Sequence, residues 1–162
     1  MIKLIIKIWT KFKHNRTKGN KENSVKLAKE LIKIHDLKTH QDIGKFIDKK
    51  MIYKNDKLFG IIDTIQDLDY TVKRNYKGDC DDFSMLAYRL LEQINIKPSL
   101  ITIVPLKFWK SHVLCLYKTD DKYFFISTNG SSANGPFNNL SQLFKRLKYK
   151  KVLGYYIDKR NL

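Results

Sequence analysis

The sequence predicts an α+β domain in which helices come first and a small antiparallel sheet follows. Two observations carry this prediction. Apolar residues recur with a helical period through the first half of the chain, whereas the second half holds apolar runs of strand length bounded by turn residues. The chain has 162 residues, of which 43% are hydrophobic, so its size and apolar content suit one compact domain.

Residues 1–23 are predicted to form an N-terminal arm and linker, and residues 24–162 a single domain. Four apolar residues of the arm recur at helical spacing between lysines: Ile2, Ile5, Trp9 and Phe12. This pattern predicts an amphipathic helix that packs on its own domain or on a neighbouring chain. The apolar stretch is too short for a transmembrane segment, and it lacks the small-residue cleavage site of a signal peptide. The polar residues 13–23 indicate a linker.

Three amphipathic helices are predicted before residue 69. The first has the apolar face Val25, Ala28, Leu31, Ile32 and His35. The second starts with the capping-box pair Thr39 and Asp42 and continues with Ile43, Phe46, Ile47 and Met51. The third is indicated by Leu58, Ile61, Ile62, Ile65 and Leu68, and a loop over residues 69–78 follows it.

A cysteine lies at the start of the next helical pattern. That pattern consists of Phe83, Leu86, Ala87, Leu90, Leu91 and Ile94. Gly78 and Asp79 supply the turn and the cap that open such a helix, so Cys80 lies where backbone N–H groups are unpaired and the helix dipole stabilises a negative charge. A thiolate is favoured in this position, and the thiolate is the nucleophilic form of cysteine. Cys80 is therefore a candidate nucleophile.

The second half of the chain predicts a sheet that carries a histidine. A strand over residues 100–104 precedes a hairpin, in which His112 opens the first strand and a polar turn over residues 118–122 leads into the second. The hairpin returns the end of its second strand to the start of its first, so Ser127 or Asn129 is expected to reach His112. A loop over residues 128–139, a short helix with Leu140, Leu143, Phe144 and Leu147, and a strand over residues 152–157 complete the prediction.

The run Gly78-Asp79-Cys80-Asp81-Asp82-Phe83, followed by a helix, a strand, His112 and a polar residue after the next strand, resembles the transglutaminase-like cysteine peptidases of bacteria and phages. The resemblance covers roughly residues 56 to 130. It implies a papain-like α+β fold, in which a small antiparallel sheet packs on the helix that bears Cys80, and a Cys-His-Asp triad. Where the family has Asp, this chain offers Ser127, Thr128 or Asn129. Asn129 is the expected third member because an amide oxygen best replaces a carboxylate, and Ser127 is the alternative.

This resemblance implies thiol-dependent acyl transfer on a protein or peptide amide, with Cys80, His112 and Asn129 as catalytic residues. Water as the acceptor makes the protein a cysteine peptidase or amidase, and an amine makes it a cross-linking transferase. The alternative is a catalytically inactive fold that serves as a phage virion component or another structural or interaction protein, with neighbours bound through the N-terminal arm. The expected location is accordingly the cytoplasm, that of the host for a phage protein, or the virion.

The carboxylates beside the thiol have two interpretations. Asp79, Asp81 and Asp82 are predicted to be a helix cap and solvated carboxylates. In some relatives of the family, acidic residues at this place bind calcium, so a calcium site is the alternative. No other cofactor is expected. Cys115 is predicted to lie in the core, and the spacing of Cys80, His112 and Cys115 does not match a structural zinc site.

The formal net charge of the chain is +16, which predicts non-specific attraction to polyanions that weakens with salt. The lysines are spread along the whole chain, and the sequence contains no known nucleic-acid-binding motif, so a nucleic-acid-binding domain ranks last among the functions. Two cysteines do not form a disulfide framework for a chain of this length, which indicates a reducing compartment.

Overall fold

The computed structural model describes residues 17–54, 64–105, 111–128, 133–148 and 152–158. The predicted arm helix, three of the five apolar residues of the predicted third helix, and Asn129 lie outside these ranges. Within them there are five helices: α1 (Lys21–Ile34), α2 (His40–Lys50), α3 (Leu68–Lys73), α4 (Cys80–Gln93) and α5 (Leu140–Arg146). The described residues contain no helix that is long and apolar enough to cross a membrane.

The same described ranges contain nine strands, which form three sheets. Two sheets are short parallel pairs: β1 (Thr17–Lys18) with β3 (Ile65–Gln66), and β2 (Ile52–Tyr53) with β4 (Lys77–Gly78). The third sheet is antiparallel and has the strand order β8-β7-β6-β5-β9. Its strands are β5 (Ser99–Pro105), β6 (His112–Thr119), β7 (Lys122–Ile126), β8 (Asn134–Phe137) and β9 (Val152–Asp158). The predicted α+β class is confirmed.

The central element is α4. Helices α1, α2 and α3 contact it, and β6 packs against it from the sheet. Side chains of β6 alternate between two apolar clusters: Val113, Cys115 and Tyr117 join the helical core, whereas Leu114 and Leu116 pack with Leu143 of α5. Cys115 is fully buried, as predicted, and burial raises the pKa of its thiol well above the ordinary value.

Helix starts follow the capping chemistry of the sequence. The Asp42 N–H donates to Thr39 Oγ1 at 3.2 Å, and the Thr39 N–H donates to Asp42 Oδ2 at 2.9 Å, so the predicted capping box is present. Helix α1 begins at Lys21, three residues before the predicted boundary, because the Asn20 side chain accepts a hydrogen bond from the Asn23 N–H. The predicted linker therefore ends earlier than expected, and β1 already pairs with β3. The division of the chain into an arm and one domain stays a prediction.

Two predictions about local structure are wrong. Ile65 and Leu68 do not share a helix. Ile65 lies in β3, whereas Leu68 opens α3, which extends into the predicted loop over residues 69–78. The Asp67 carboxylate caps this new helix by accepting from the Leu68 N–H at 2.8 Å. The predicted loop after residue 128 also contains a strand, β8, which pairs with β7. Phe137 of β8 stacks on Phe125, with ring centroids 5.9 Å apart, so packing outweighs a composition typical of turns.

Candidate active site

Cys80 is the first residue of α4, as predicted, and its side chain is half-buried. Asp79 is the N-cap, and Asp82 completes a capping box by accepting from the Asp79 N–H at 3.1 Å. Negative charge at this end of a helix interacts favourably with the helix dipole. The local sequence therefore holds the thiol at a defined helix start.

The buried Asp82 carboxylate holds two segments of the chain together by hydrogen bonds, and we call it the clamp. Besides the Asp79 N–H it accepts from the Gln66 N–H at 2.8 Å and from Gln66 Nε2 at 2.6 Å, so β3 is joined to the start of α4. Asp81 and Asp82 are both fully buried. The prediction of solvated carboxylates is thus wrong for these two residues. For Asp82 the reason is that the tertiary structure places β3 over the helix start.

Three carboxylates in this turn could hold a cation. Asp79, Asp81 and Asp82 each offer an oxygen, and these oxygens lie within 4.8 Å of one another. Carboxylate oxygens are suitable ligands for calcium, but the Asp82 oxygens already accept three hydrogen bonds. A calcium site here stays a prediction.

The clamp explains why residue 78 is a glycine. A Cβ atom built on Gly78 would lie 2.3 Å from Asp82 Oδ2 and 2.5 Å from Asp82 Cβ. Because Gln66 holds the carboxylate, Asp82 has no simple way to move aside. We expect Gly78→Ala to lower the free energy of unfolding by about 1–3 kcal/mol, measured by urea denaturation. Lys77→Ala, one residue earlier, is the control and should change it by less than about 0.5 kcal/mol; equal losses in the two variants would contradict the steric explanation.

A second buried contact fixes the same segment to α4. Arg89 Nε and Nη2 donate to Asp67 Oδ1 and Oδ2 at 2.9 and 2.7 Å, and both side chains are only 2% exposed. Burial by itself lowers the pKa of Arg89, but hydrogen bonding and attraction to Asp67, with a smaller contribution from Glu92, outweigh it and raise that pKa above its ordinary value. Residues 66 and 67 therefore tie α4 at two points.

His112 is the first residue of β6 and is 7% exposed. Its Nε2 atom lies 2.8 Å from Ser127 Oγ, and Ser127, directly after β7, is 2% exposed. The structure thus brings His112 together with Ser127, the alternative third member. Asn129, which the sequence favoured, is outside the described residues and stays a prediction.

Sequence reasoning missed Ser84, the residue that joins the cysteine helix to the histidine strand. Its Oγ atom lies 2.7 Å from the Cys80 carbonyl oxygen and 3.1 Å from the Val113 carbonyl oxygen, so its hydroxyl can donate to either. Val113 is next to His112. The first turn of α4 and the start of β6 are therefore in contact. A serine one turn after Cys80, with buried neighbours, is the signal that could have found this contact.

The chain is similar to known proteins in sequence and in fold. A crystal structure of a candidate cysteine protease from Cytophaga hutchinsonii is 11% identical, with a TM-score of 0.46; the match covers 81% of this chain. The chain spans about half of that protein's length, since the match covers 50% of it. No curated protein matches the sequence. A family model described as a transglutaminase-like domain matches residues 22–151, which include Cys80, Ser84, His112 and Ser127. The chain therefore belongs to the transglutaminase-like domain family.

Proposed function

We propose that this protein catalyses thiol-dependent acyl transfer on a protein or peptide amide, with hydrolysis as the main outcome. Cys80 is the nucleophile and His112 is the general base. The observation that carries the proposal is the hydrogen bond between His112 Nε2 and Ser127 Oγ. His112 opens β6, and Ser84 joins this start of β6 to the Cys80 turn. A cysteine, a histidine and an orienting polar group are the parts that this chemistry requires.

The assigned roles follow from the hydrogen bond of His112. When Nε2–H donates to Ser127 Oγ, the Nδ1 lone pair remains to take the thiol proton. The Cys80 sulfur then attacks the amide carbonyl, and the Cys80 backbone N–H at the helix start is the donor that we assign to the oxyanion. The C–N bond breaks as the imidazolium protonates the leaving amine. Water next attacks the thioester, and its products are the free acid and the regenerated thiol.

Ser127 fulfils only part of the role of the third catalytic residue, which is to orient His112 and stabilise its charge. A serine hydroxyl accepts the Nε2–H bond and so selects the tautomer, but it carries no charge to stabilise the imidazolium as a carboxylate does. Asn129 is the sequence's candidate for a further orienting group. A neutral residue at the contact with His112 also favours a second function, a catalytically inactive fold that serves as a structural or interaction protein.

Trapping of an acyl-enzyme distinguishes the two functions. After incubation with p-nitrophenyl acetate at pH 7, we expect intact mass and peptide mapping to find one acetyl group on Cys80. Cys80→Ala should abolish this adduct. Cys115→Ala is the matched control and should retain it, since burial keeps the Cys115 thiol protonated. Absence in the wild type of both acetyl-Cys80 and a release of p-nitrophenol that depends on Cys80 would reject the enzyme in favour of the inactive fold.

A further inference from the structure

An exposed aromatic ring lies beside the candidate nucleophile. Four large apolar side chains of the described residues are more than 45% exposed: Ile34, Ile52, Tyr53 and Tyr155. Single exposed apolar residues are common on protein surfaces, so their location decides whether they matter. Ile52 and Tyr53 form β2, the strand that pairs with the segment leading directly into Cys80.

The register of this strand pair fixes the distance from Tyr53 to the thiol. The Ile52 N–H donates to the Tyr76 carbonyl and the Lys54 N–H to the Gly78 carbonyl, both at 2.8 Å. Tyr53 is therefore opposite Gly78, and Cys80 follows two residues later. With about 5 Å between paired strands and about 3.3 Å per extended residue, the Tyr53 Cα lies within roughly 12 Å of the Cys80 Cα. An extended substrate covers this distance in about two to four residues.

The residue opposite Tyr53 carries no side chain of its own. Gly78 is this cross-strand neighbour, and the buried Asp82 carboxylate occupies the position that a Cβ atom would take there. Tyr53 is 55% exposed, and its ring centroid lies 6.5 Å from that of Phe83 in the first turn of α4. Tyr53 thus adds an accessible apolar wall beside the cysteine turn, while strand alternation places Ile52 on the opposite face of the pair.

Lysines flank this wall in the sequence. Lys49, Lys50 and Lys54 are exposed before and after β2, and Lys77 is half-buried opposite Ile52. Asp48 of the same stretch is also exposed. Of the three aspartates that follow Gly78, Asp79 is half-buried, and Asp81 and Asp82 are fully buried. Between residues 48 and 54, three exposed lysines stand against one exposed aspartate, so the surface next to Tyr53 has an excess of positive charge that attracts carboxylates at neutral pH.

We propose that Tyr53 is a specificity-determining residue that contacts a large apolar side chain of an extended, acidic peptide substrate, two to four residues from the bond that Cys80 attacks. This inference rests on the proposed function, because it assigns the substrate class of the same site. Covering the exposed part of the ring with an apolar side chain removes surface from water, which favours such substrates over small or polar ones.

Peptidyl vinyl sulfones, which alkylate Cys80 without turnover, test the assignment. A series carries Phe or Ala two, three or four residues from the reactive group, with Glu or Lys beside it, and iodoacetamide reports the thiol alone. At one position we expect the Phe probe with Glu to react about tenfold faster than its Ala counterpart. Replacing Glu by Lys should slow the reaction, and salt should reduce that difference.

Variants of β2 separate Tyr53 from its surroundings. Tyr53→Ser should remove the preference for Phe over Ala but leave the iodoacetamide rate unchanged, and Tyr53→Leu should retain part of the preference. Ile52→Ser is the matched control, because it removes an equally exposed side chain from the opposite face of the same strand, and it should retain the preference. Unfolding by urea confirms that each variant is folded.

The inference is overturned if Tyr53→Ser keeps the preference for Phe, or if Ile52→Ser loses it to the same extent. It is overturned for acidic substrates if probes with Lys react as fast as those with Glu. Failure of the proposed function looks different: iodoacetamide would then react with Cys80 no faster than with a simple thiol, and no vinyl sulfone would exceed it.

Discussion

Replacing His112 by alanine is expected to lower the rate at which iodoacetamide alkylates Cys80 at pH 7 by about a hundredfold or more. In the proposed mechanism, His112 takes the thiol proton and, as imidazolium, stabilises the thiolate. The rate is measured by intact mass under pseudo-first-order conditions. In the wild type, reaction should persist well below the ordinary thiol pKa of about 8.5.

Further variants test whether the lower alkylation rate of His112→Ala is specific to this site. His40→Ala is the control, since His40 Nδ1 is bonded to Tyr117 Oη at 2.9 Å and takes no part in the site; its alkylation rate should equal that of the wild type. Ser127→Ala removes one hydrogen bond to His112 and should cost up to about tenfold. If Asn129→Ala costs more than Ser127→Ala, Asn129 is the main orienter. Equal rates for the wild type and His112→Ala would rule out the catalytic pair.

Arg89→Met is expected to lower the free energy of unfolding by about 3–5 kcal/mol. It leaves the Asp67 carboxylate, 2% exposed, without the guanidinium that binds both of its oxygens. Desolvation of an unpaired charge is the physical cause, and burial of the pair makes it large. Urea denaturation at neutral pH measures the loss.

Two further variants give this prediction its control. Glu92→Gln weakens the second ion pair of Arg89, in which Nη1 lies 3.3 Å from Glu92 Oε2 and Glu92 is 31% exposed. It should lower the free energy of unfolding by less than about 1 kcal/mol. Adding Asp67→Asn to Arg89→Met removes the orphaned charge but keeps the cap of α3, and should recover a large part of the loss. An Arg89→Met variant as stable as Glu92→Gln would show that the Asp67 pair contributes little.

Local sequence chemistry was a good guide wherever a few neighbouring residues decide the structure. The caps at Thr39 and Asp79 lie where the sequence placed them, because their hydrogen bonds close within three residues. Local reasoning was wrong at Ile65 and in β8, where pairing with a distant strand sets the conformation. It also assigned Asp81 and Asp82 to solvent, since nothing in their own segment indicates that they are buried or that β3 binds Asp82.

The sequence by itself determined the class of the fold, the helix start that bears Cys80, and a histidine on a strand whose hairpin partner ends near it. These features depend on periodicity, capping and turn geometry, which are properties of short segments. Only the tertiary structure decided that Ser127 contacts His112, that Ser84 joins the cysteine turn to β6, and that Gln66 and Asp67 clamp α4. The physical reason is that each of these contacts joins segments far apart in the chain, and their position depends on how the whole core packs.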